Sequence, residues 1–286
     1  MKKFISLIIF FIYLPAFAYI PNLNMVLSRT AKNHGNKPYS IEQEVVFQNS
    51  GNEPYLVKET WIIENDNKMR LHAVGERALK GLFQLTAVYS FGKKYYIDTS
   101  GQKRVADNVD EWIEPIFHFR NVNRVKQKLV RLNILPKKAL GQKRVKLTLE
   151  KPIYEKEDFV RLARSGGSIS YSLGQPTPAG SELRNPGLWI EQDQFLINKL
   201  RLPAQVEVTA TKHNRYTGGL WLPQTRHVVW GNHDVQINLR RVKGTWMSKE
   251  NKIRLNHYSL NAKKNPEQKL ILPDIEVIKT FYKRFR

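Results

Sequence analysis

The sequence predicts an α+β fold: an antiparallel sheet with helices on one side. Three observations carry this. Apolar residues alternate with period two over many short segments separated by polar turns. Helix-spaced apolar residues occur at the start, in the middle and at the end of the chain. The order runs helix, strands, helical insertion, strands, with no βαβ alternation and no Gly-rich nucleotide loop, which excludes a parallel doubly wound sheet.

The spacing predicts a helix over Asn22 to Asn33, with Leu23, Val26, Leu27 and Thr30 on one face and His34-Gly35 at its end. The period then changes to two. Ile41, Gln43, Val45 and Phe47 share one side of a strand, and Asn49 to Asn52 reads as a turn. Tyr55, Val57, Glu59, Trp61 and Ile63 lie on the next strand, and Met69, Leu71 and Ala73 on a third. Phe83, Leu85, Ala87 and Tyr89 follow, then Lys94 to Asp98 after a turn at Gly92. Tight polar turns between successive strands make antiparallel hairpins the economical arrangement.

The middle carries helix-spaced residues over Val109 to Arg120 (Trp112, Ile116, Phe119) and Val122 to Leu135 (Val125, Leu129, Leu132). Val145 to Leu149 reads as a strand, and Glu155 to Arg164 as a short helix with Phe159 and Leu162 inward. Strands resume over Ser168 to Leu173, Gly187 to Glu191, Phe195 to Leu202, Val206 to Thr211, Thr225 to Trp230 and Val235 to Val242. Pro273 to Arg286 reads as a helix with Asp274 as N-cap and Ile275, Ile278, Phe281, Tyr282 and Phe285 as its apolar stripe.

The first 18 residues fit a secretory signal peptide. Lys2 and Lys3 precede an apolar run from Phe4 to Leu14, Pro15 breaks it, and Ala16-Phe17-Ala18 supplies small residues at −3 and −1. The run is shorter than the ~20 residues of a comfortable membrane span. The expected divisions are therefore a leader over 1–18, a main domain over 19–245 with a helical insertion near 109–135, and a basic extension over 246–286 ending in a helix. An exported, periplasmic location in a Gram-negative envelope follows as the expectation. The chain holds no cysteine, which excludes disulfides, thiolate catalysis, Cys-zinc sites and lipoprotein-type acylation. The formal charge of +22 falls to +20 once a leader with two lysines and no acid is removed. Such a charge favours anionic partners, and in an exported chain these are lipid surfaces or acidic proteins rather than nucleic acid.

Particular stretches also carry a family likeness. Asn22 to Asn33, Tyr39-Ser40-Ile41-Glu42-Gln43-Glu44-Val45-Val46-Phe47 and Glu59-Thr60-Trp61 resemble the first helix and first strands of the LolA/LolB-like superfamily of periplasmic lipoprotein carriers and receptors. Gly187 to Phe195 and Gly218-Gly219-Leu220-Trp221-Leu222-Pro223 are similar to later steps of that pattern. The insertion over Val109 to Leu135 and the basic extension have no counterpart in it. The resemblance implies an antiparallel incomplete β-barrel, a half-barrel covered by helices, whose apolar concavity shelters acyl chains. Carried onto this chain, it makes Trp61, Ile63, Leu71, Phe83, Leu85, Val206, Val208, Ile237 and Leu239 the candidate acyl-chain lining. The same residues also read as plain core, since alternation is the ordinary signature of a half-buried strand.

Candidate chemistry is sparse. His227, His233 and Asp234, with His213 nearby, could face one another across a turn. Equally, they read as surface hairpin residues. There is no Gly-x-Ser-x-Gly elbow, and Ser165-Gly166-Gly167-Ser168 precedes a strand rather than a helix, which reads as a loop. No catalytic residue, metal ligand set or cofactor is assigned, and the chain is not expected to be an enzyme. Arg240, Arg241 and Lys243, together with Lys279, Lys283, Arg284 and Arg286, form a candidate membrane-surface face. The alternative is that the last helix packs onto the sheet with its charges in water. The leading expectation is a carrier or binder of lipid or lipoprotein acyl chains. The other is a ligand-free module that binds an acidic envelope protein or a membrane surface.

Overall fold

A computed structural model of the chain describes residues 20–49, 53–106, 110–141, 159–245, 248–261 and 263–286. The leader, the strand expected over Val145 to Leu149 and most of the turn at Asn49 to Asn52 lie outside these residues.

The chain opens on α1 (Leu23–Asn33), capped by the Asn22 side chain, which accepts from the Met25 N–H at 2.9 Å. Its apolar stripe, Leu23, Val26 and Leu27, is fully buried. A meander follows: β1 (Tyr39–Phe47), β2 (Tyr55–Asn65), β3 (Lys68–Glu76), β4 (Gln84–Ser90), β5 (Lys93–Ile97) and β6 (Lys103–Ala106). Two short helices interrupt it, α2 (Glu114–Phe117) and α3 (Val122–Arg131). A second meander runs through β7 (Val160–Ser165), β8 (Ser168–Leu173), β9 (Gly187–Glu191), β10 (Ile197–Arg201), β11 (Glu207–Tyr216), β12 (Leu220–Trp230) and β13 (His233–Gly244). The last helices are α4 (Lys249–Arg254) and α5 (Glu276–Arg284).

Among the described residues the strands form one sheet of thirteen, in the order β6-β5-β4-β3-β2-β1-β13-β12-β11-β10-β9-β8-β7. Every ladder is antiparallel, and β1 and β13 meet at the centre, Val45 opposite Ile237. The sheet curves as a half-barrel and does not close. The inner face of β1 and β2 is built by strict alternation, Ile41, Gln43 and Val45 against Trp61, Glu59 and Val57. It belongs to one continuous core that also takes in α1, α3 and α5.

The segment after β13 wraps around the first half of the sheet. It crosses the outer face first: Arg70 Nη1 donates to the Arg254 carbonyl at 2.8 Å and to Ser259 Oγ at 2.9 Å. There Leu260 packs with Val88 and Ile97 in a separate small cluster, and His257 stacks on Tyr95 at 4.2 Å. The chain then rounds the strand ends, exchanging backbone hydrogen bonds between Gln84 and Ile271 at 2.9 and 2.8 Å. Finally α5 enters the concave side. This strap is irregular for most of its length, and α4 within it carries no sequence signal strong enough to have been anticipated.

Three expectations are corrected in detail, and one strand is added. Val109 to Arg120 is not one helix. Pro115 sits in the first turn of α2, a single turn that ends at His118 (φ −131°), and Asn121 starts α3 anew by accepting from the Arg124 N–H. Of the segment expected as a helix over Glu155 to Arg164, residues 155–158 lie outside the described residues and the rest runs into the edge strand β7; Phe159 is buried as expected, but Leu162 is exposed. A ladder to β8 satisfies its backbone, which overrides the local spacing. Asp274 does not cap α5: it accepts from Lys279 Nζ at 2.8 Å, and Ile275 holds the cap position without a side-chain bond. Strand β6 was not anticipated.

Gly75, on β3, lies under the turn that leads to β4, where an added Cβ would collide with the Leu79 carbonyl and side chain. Replacing it with Ala is expected to destabilise the protein by about 1–3 kcal/mol, the usual cost of forcing backbone apart in a packed site. A urea melt followed by tryptophan fluorescence measures it.

Candidate functional site

The concave chamber is built from β1–β4 on one side and β11–β13 on the other. Trp61, Ile63, Leu71, Phe83, Leu85, Val206, Val208 and Ile237 are at most 2 % exposed, and the partly buried Leu239 packs against the same cluster. The structure therefore brings all nine sequence-nominated residues into one apolar interior. That interior is occupied by α5. The Phe281 ring meets Phe47 edge-on at 5.3 Å, Tyr282 tilts against Phe83 at 4.5 Å, and Phe285 meets Trp230 edge-on at 5.0 Å.

At the centre of the chamber sits a charged cluster. Arg286 Nε donates to Glu59 Oε1 at 2.9 Å, and its Nη2 lies 3.3 Å from Glu114 Oε1. Arg226 Nη2 reaches Glu114 Oε1 and Gln43 Oε1, both at 2.8 Å. Gln43 Nε2 donates to Glu59 Oε2 at 2.6 Å, and Trp61 Nε1 donates to the same oxygen at 3.0 Å. His118 Nε2 donates to Glu114 Oε2 at 2.8 Å and its Nδ1 accepts from the Tyr39 hydroxyl at 2.6 Å. Two carboxylates face two guanidiniums, so the cluster is neutral overall. Burial would raise the Glu114 pKa, but Arg226 and Arg286 outweigh it and hold the carboxyl well below its ordinary range. Lys94, on β5, donates to the main-chain oxygens of Tyr282 at 2.9 Å and Arg286 at 2.6 Å. Burial, with Arg286 nearby, lowers its pKa to about 7.

A second feature opens beside the chamber. A pocket of about 350 Å³ lies between α3 and the β2–β3 and β4–β5 turns. Met69, Tyr89, Trp112 and Phe119 line its apolar part, and Arg124, Lys128 and Arg131 its basic part. Tyr89 is the shared wall: its ring lies 5.1 Å from Trp112 and 5.4 Å from Trp61, and Arg286 stands 5.8 Å from the Trp61 ring on the chamber side. The Tyr89 hydroxyl is buried with no hydrogen-bond partner among the described residues. Phe91, on the pocket's rim, is 83 % exposed and holds φ +50°. With Gly92 at φ +75° it forms the two-residue turn between β4 and β5, which requires positive φ at both positions.

The expected membrane-surface set separates. Arg240 pairs with Glu44 at 2.8 Å and Lys243 with Glu42 at 3.7 Å; these carboxylates alternate with the inward row of β1 and so lie on the outer face with Arg241. Lys279, Lys283 and Arg284 belong to α5, with Arg284 gripping Glu111 through two bonds at 2.8 and 2.7 Å. Arg286 is fully buried and is a core ion-pair partner, not a surface cation. One continuous basic face across β13 and α5 is therefore not formed.

His227 Nδ1 stands 3.3 Å from Asp234 Oδ1, while the His233 ring turns to Trp230 at 5.1 Å and His213 bonds the Ile197 carbonyl at 3.1 Å. Among the described residues no group of three or more His, Asp or Glu side chains is placed to hold a metal. Ser165 to Ser168 form the β7–β8 hairpin turn.

Comparison with solved structures finds likeness over most of the chain. An outer membrane lipoprotein-sorting protein domain from Vibrio parahaemolyticus aligns at 12 % identity and TM-score 0.48, covering 83 % of this chain and 97 % of that one. A LolA superfamily protein from Nitrosomonas europaea aligns at 6 % identity and TM-score 0.49, covering 82 % and 98 %. A DUF1329 family protein from Desulfovibrio piger aligns at 11 % identity and TM-score 0.47, covering 83 % and 97 %. No family model and no curated protein sequence matches the chain.

Replacing Arg286 with Met leaves Glu59 and Glu114 with a single guanidinium in a dry site. A loss of about 3–5 kcal/mol is expected, the usual cost of breaking a buried ion pair from one side. Adding Glu59→Gln to Arg286→Met is expected to recover more than half of it, read from urea midpoints and from hydrogen exchange across residues 276–285.

The buried histidines set an acid limit. Burial lowers the His34 pKa from 6.5 to about 3, against the raising effect of its bond to the Phe119 carbonyl. It lowers His118 as well, against Glu114. Between about 6.5 and 3 the unfolded chain binds a proton at His34 that the folded chain does not. Stability is thus complete above the ordinary histidine value and falls progressively with pH below it. In thermal melts against pH, His34→Gln is expected to flatten that acid limb.

Proposed function

We propose that this chain is an exported, non-enzymatic binder of lipid or lipoprotein acyl chains, which it holds in the apolar interior of the half-barrel. One observation carries the reading: the interior is covered by a short helix rather than by a second sheet, beside an open, partly apolar pocket that reaches the same aromatic wall. Ligand enters by the pocket over Met69, Trp112 and Phe119, displaces α5 and takes over its contacts in the chamber. The basic surface draws the protein to anionic membrane faces.

The magnitudes set a condition on this exchange. Ile278, Phe281, Tyr282 and Phe285 are each buried by docking of α5. At roughly 1.5–3 kcal/mol per large apolar side chain, the docked stripe contributes about 6–12 kcal/mol. An acyl chain gains about 0.8 kcal/mol per buried CH₂, or about 12 kcal/mol for roughly fifteen methylenes. The apolar contributions are comparable, but lifting α5 also withdraws Arg286 from Glu59 and Glu114, about 3–5 kcal/mol more, so the exchange requires a ligand that buries further apolar surface or brings its own cation to those carboxylates.

A second reading draws on the filled chamber itself: a ligand-free module that uses its surface to bind an acidic envelope protein. Fluorescent fatty-acid titration separates the two. The carrier reading expects the probe to bind, Phe285→Ala to tighten binding at least tenfold by raising the fraction of open chamber, and Trp112→Ala to weaken it. Absence of binding by both the parent protein and Phe285→Ala would overturn the carrier reading in favour of the interaction module. Native mass spectrometry of protein purified from an envelope fraction then identifies the cargo by its mass.

A further inference from the structure

A second pocket, of about 520 Å³, lies on the other half of the sheet. It is built from the β7–β8 hairpin and from β9, β10 and β11. On β11, Val208 and Ala210 are buried in the core, while Glu207, Thr209 and Thr211 take the opposite, outer register. The pocket is thus separate from the acyl chamber.

Its lining has one sign of charge. Arg164, Lys199, Arg201 and Lys212 contribute four cations, and no Asp or Glu lines it. Thr209, Thr211, Ser165 and Asn198 add uncharged hydrogen-bonding groups. Just outside, Glu207 holds two of the cations in place, Lys199 Nζ at 2.5 Å and Arg201 Nη2 at 2.9 Å. Burial would raise the Glu207 pKa, but the hydrogen bonds from Lys199 and Arg201 keep it below the ordinary value. The remaining nearby cation, Arg184, stands 3.9 Å from the same carboxylate. A single anion cannot neutralise this group. Arg164 and Lys212 have no carboxylate within ion-pair distance among the described residues.

Two of the cations are also held in position. The ring of Trp189 folds back over Gly187, where any Cβ would strike it. Lys199 and Arg201 sit 5.5 and 5.2 Å from that ring, a cation–π arrangement that limits their freedom. Two backbone irregularities adjoin the pocket. The β9–β10 register shifts between Ile197 and Lys199, leaving Asn198 unpaired with β9, and its amide donates to Ser168 Oγ at 3.1 Å. Lys212 holds φ +55° within β11, where the ladder to β12 skips it while keeping its register from Thr211–Thr225 to His213–Pro223. Bulges and left-handed residues in strands re-aim side chains and carry a local cost that a purely structural strand avoids.

From this we infer that the outer pocket over β9–β11 is a binding site for a phosphate-bearing anion. A phosphate group presents several oxygens and up to two charges. It therefore satisfies preset guanidinium and ammonium groups together with threonine hydroxyls. A volume of about 520 Å³ exceeds one phosphate and admits the group it esterifies.

The test titrates the full exported chain with inorganic pyrophosphate by calorimetry. Saturable binding is expected, weakened at least tenfold in Arg164→Gln/Lys212→Gln. The control Arg240→Gln/Lys243→Gln removes the same charge from the outer face elsewhere and is expected to leave binding within twofold. No binding, or equal loss in both double variants, overturns the proposal, because bulk charge would then account for everything. Co-sedimentation with phosphatidylglycerol vesicles names the source. A parallel loss in Arg164→Gln/Lys212→Gln assigns a lipid headgroup; vesicle binding unchanged while pyrophosphate binding is lost assigns a soluble phosphate ester. Fatty-acid binding is unaffected in either case, so the outcome is independent of the acyl reading.

Discussion

An open antiparallel sheet with an apolar inner face has to be covered, and that constraint organises this molecule. A closed barrel would fill its interior with side chains from its own strands. Here the curved sheet stops short, and Trp61, Phe83, Leu85, Val208 and Ile237 would meet water without help. α1 and α3 cover part of the inner face. The remainder falls to α5, which reaches it only because the strap carries the chain around β3–β5 and over the strand ends. The helix is then held by chemistry apolar packing does not supply: Arg286 placed between Glu59 and Glu114, and Lys94 beneath its last turn. Removing charges from water is costly, so a neutral cluster of this kind adds little net stability. What it adds is position, since any shift of the helix would leave a buried charge unmatched.

Much of this was legible in the sequence because a half-buried strand writes itself in period two. Period two puts Glu59 in the inner row of β2, beside Val57 and Trp61, and Gln43 in that of β1, beside Ile41 and Val45. A carboxylate in an inward register is a demand for a partner. The partner was also on view. Arg286 follows Tyr282 by four residues and so extends the stripe of Ile278, Phe281 and Tyr282 on the same side of the helix. Arg226 shares its register with Val228 and Trp230. What one sequence does not hold is which inward charge meets which, since Glu59 and Arg286 are joined by tertiary folding alone. Local spacing failed where the ladder outvoted it, at β7, and where a proline and a fresh cap cut one apparent helix into α2 and α3.

The two halves of the sheet are used differently. The first meander is wrapped on both sides, by the strap outside and by α5 and α3 within, and the pocket at Trp112 and Tyr89 opens at its edge. On the second, no described segment crosses the outer face, and there the cations around Trp189 collect. A strongly basic chain is therefore not basic everywhere: on β1 and β13 Glu42 and Glu44 answer Lys243 and Arg240, while on β9–β11 one carboxylate serves three cations.

The meeting of β1 and β13 at the middle of the sheet also fixes the order of assembly. Each meander is a run of neighbouring hairpins that close short loops, which is entropically cheap and quick. The central ladder joins segments from far apart along the chain, and no curved interior exists until it forms. The topology therefore predicts a late folding step of high contact order, with docking of the strap and α5 after it. A polypeptide with this topology stays open for as long as its second meander is incomplete. It becomes compact only when β13 is free to pair with the strand made first.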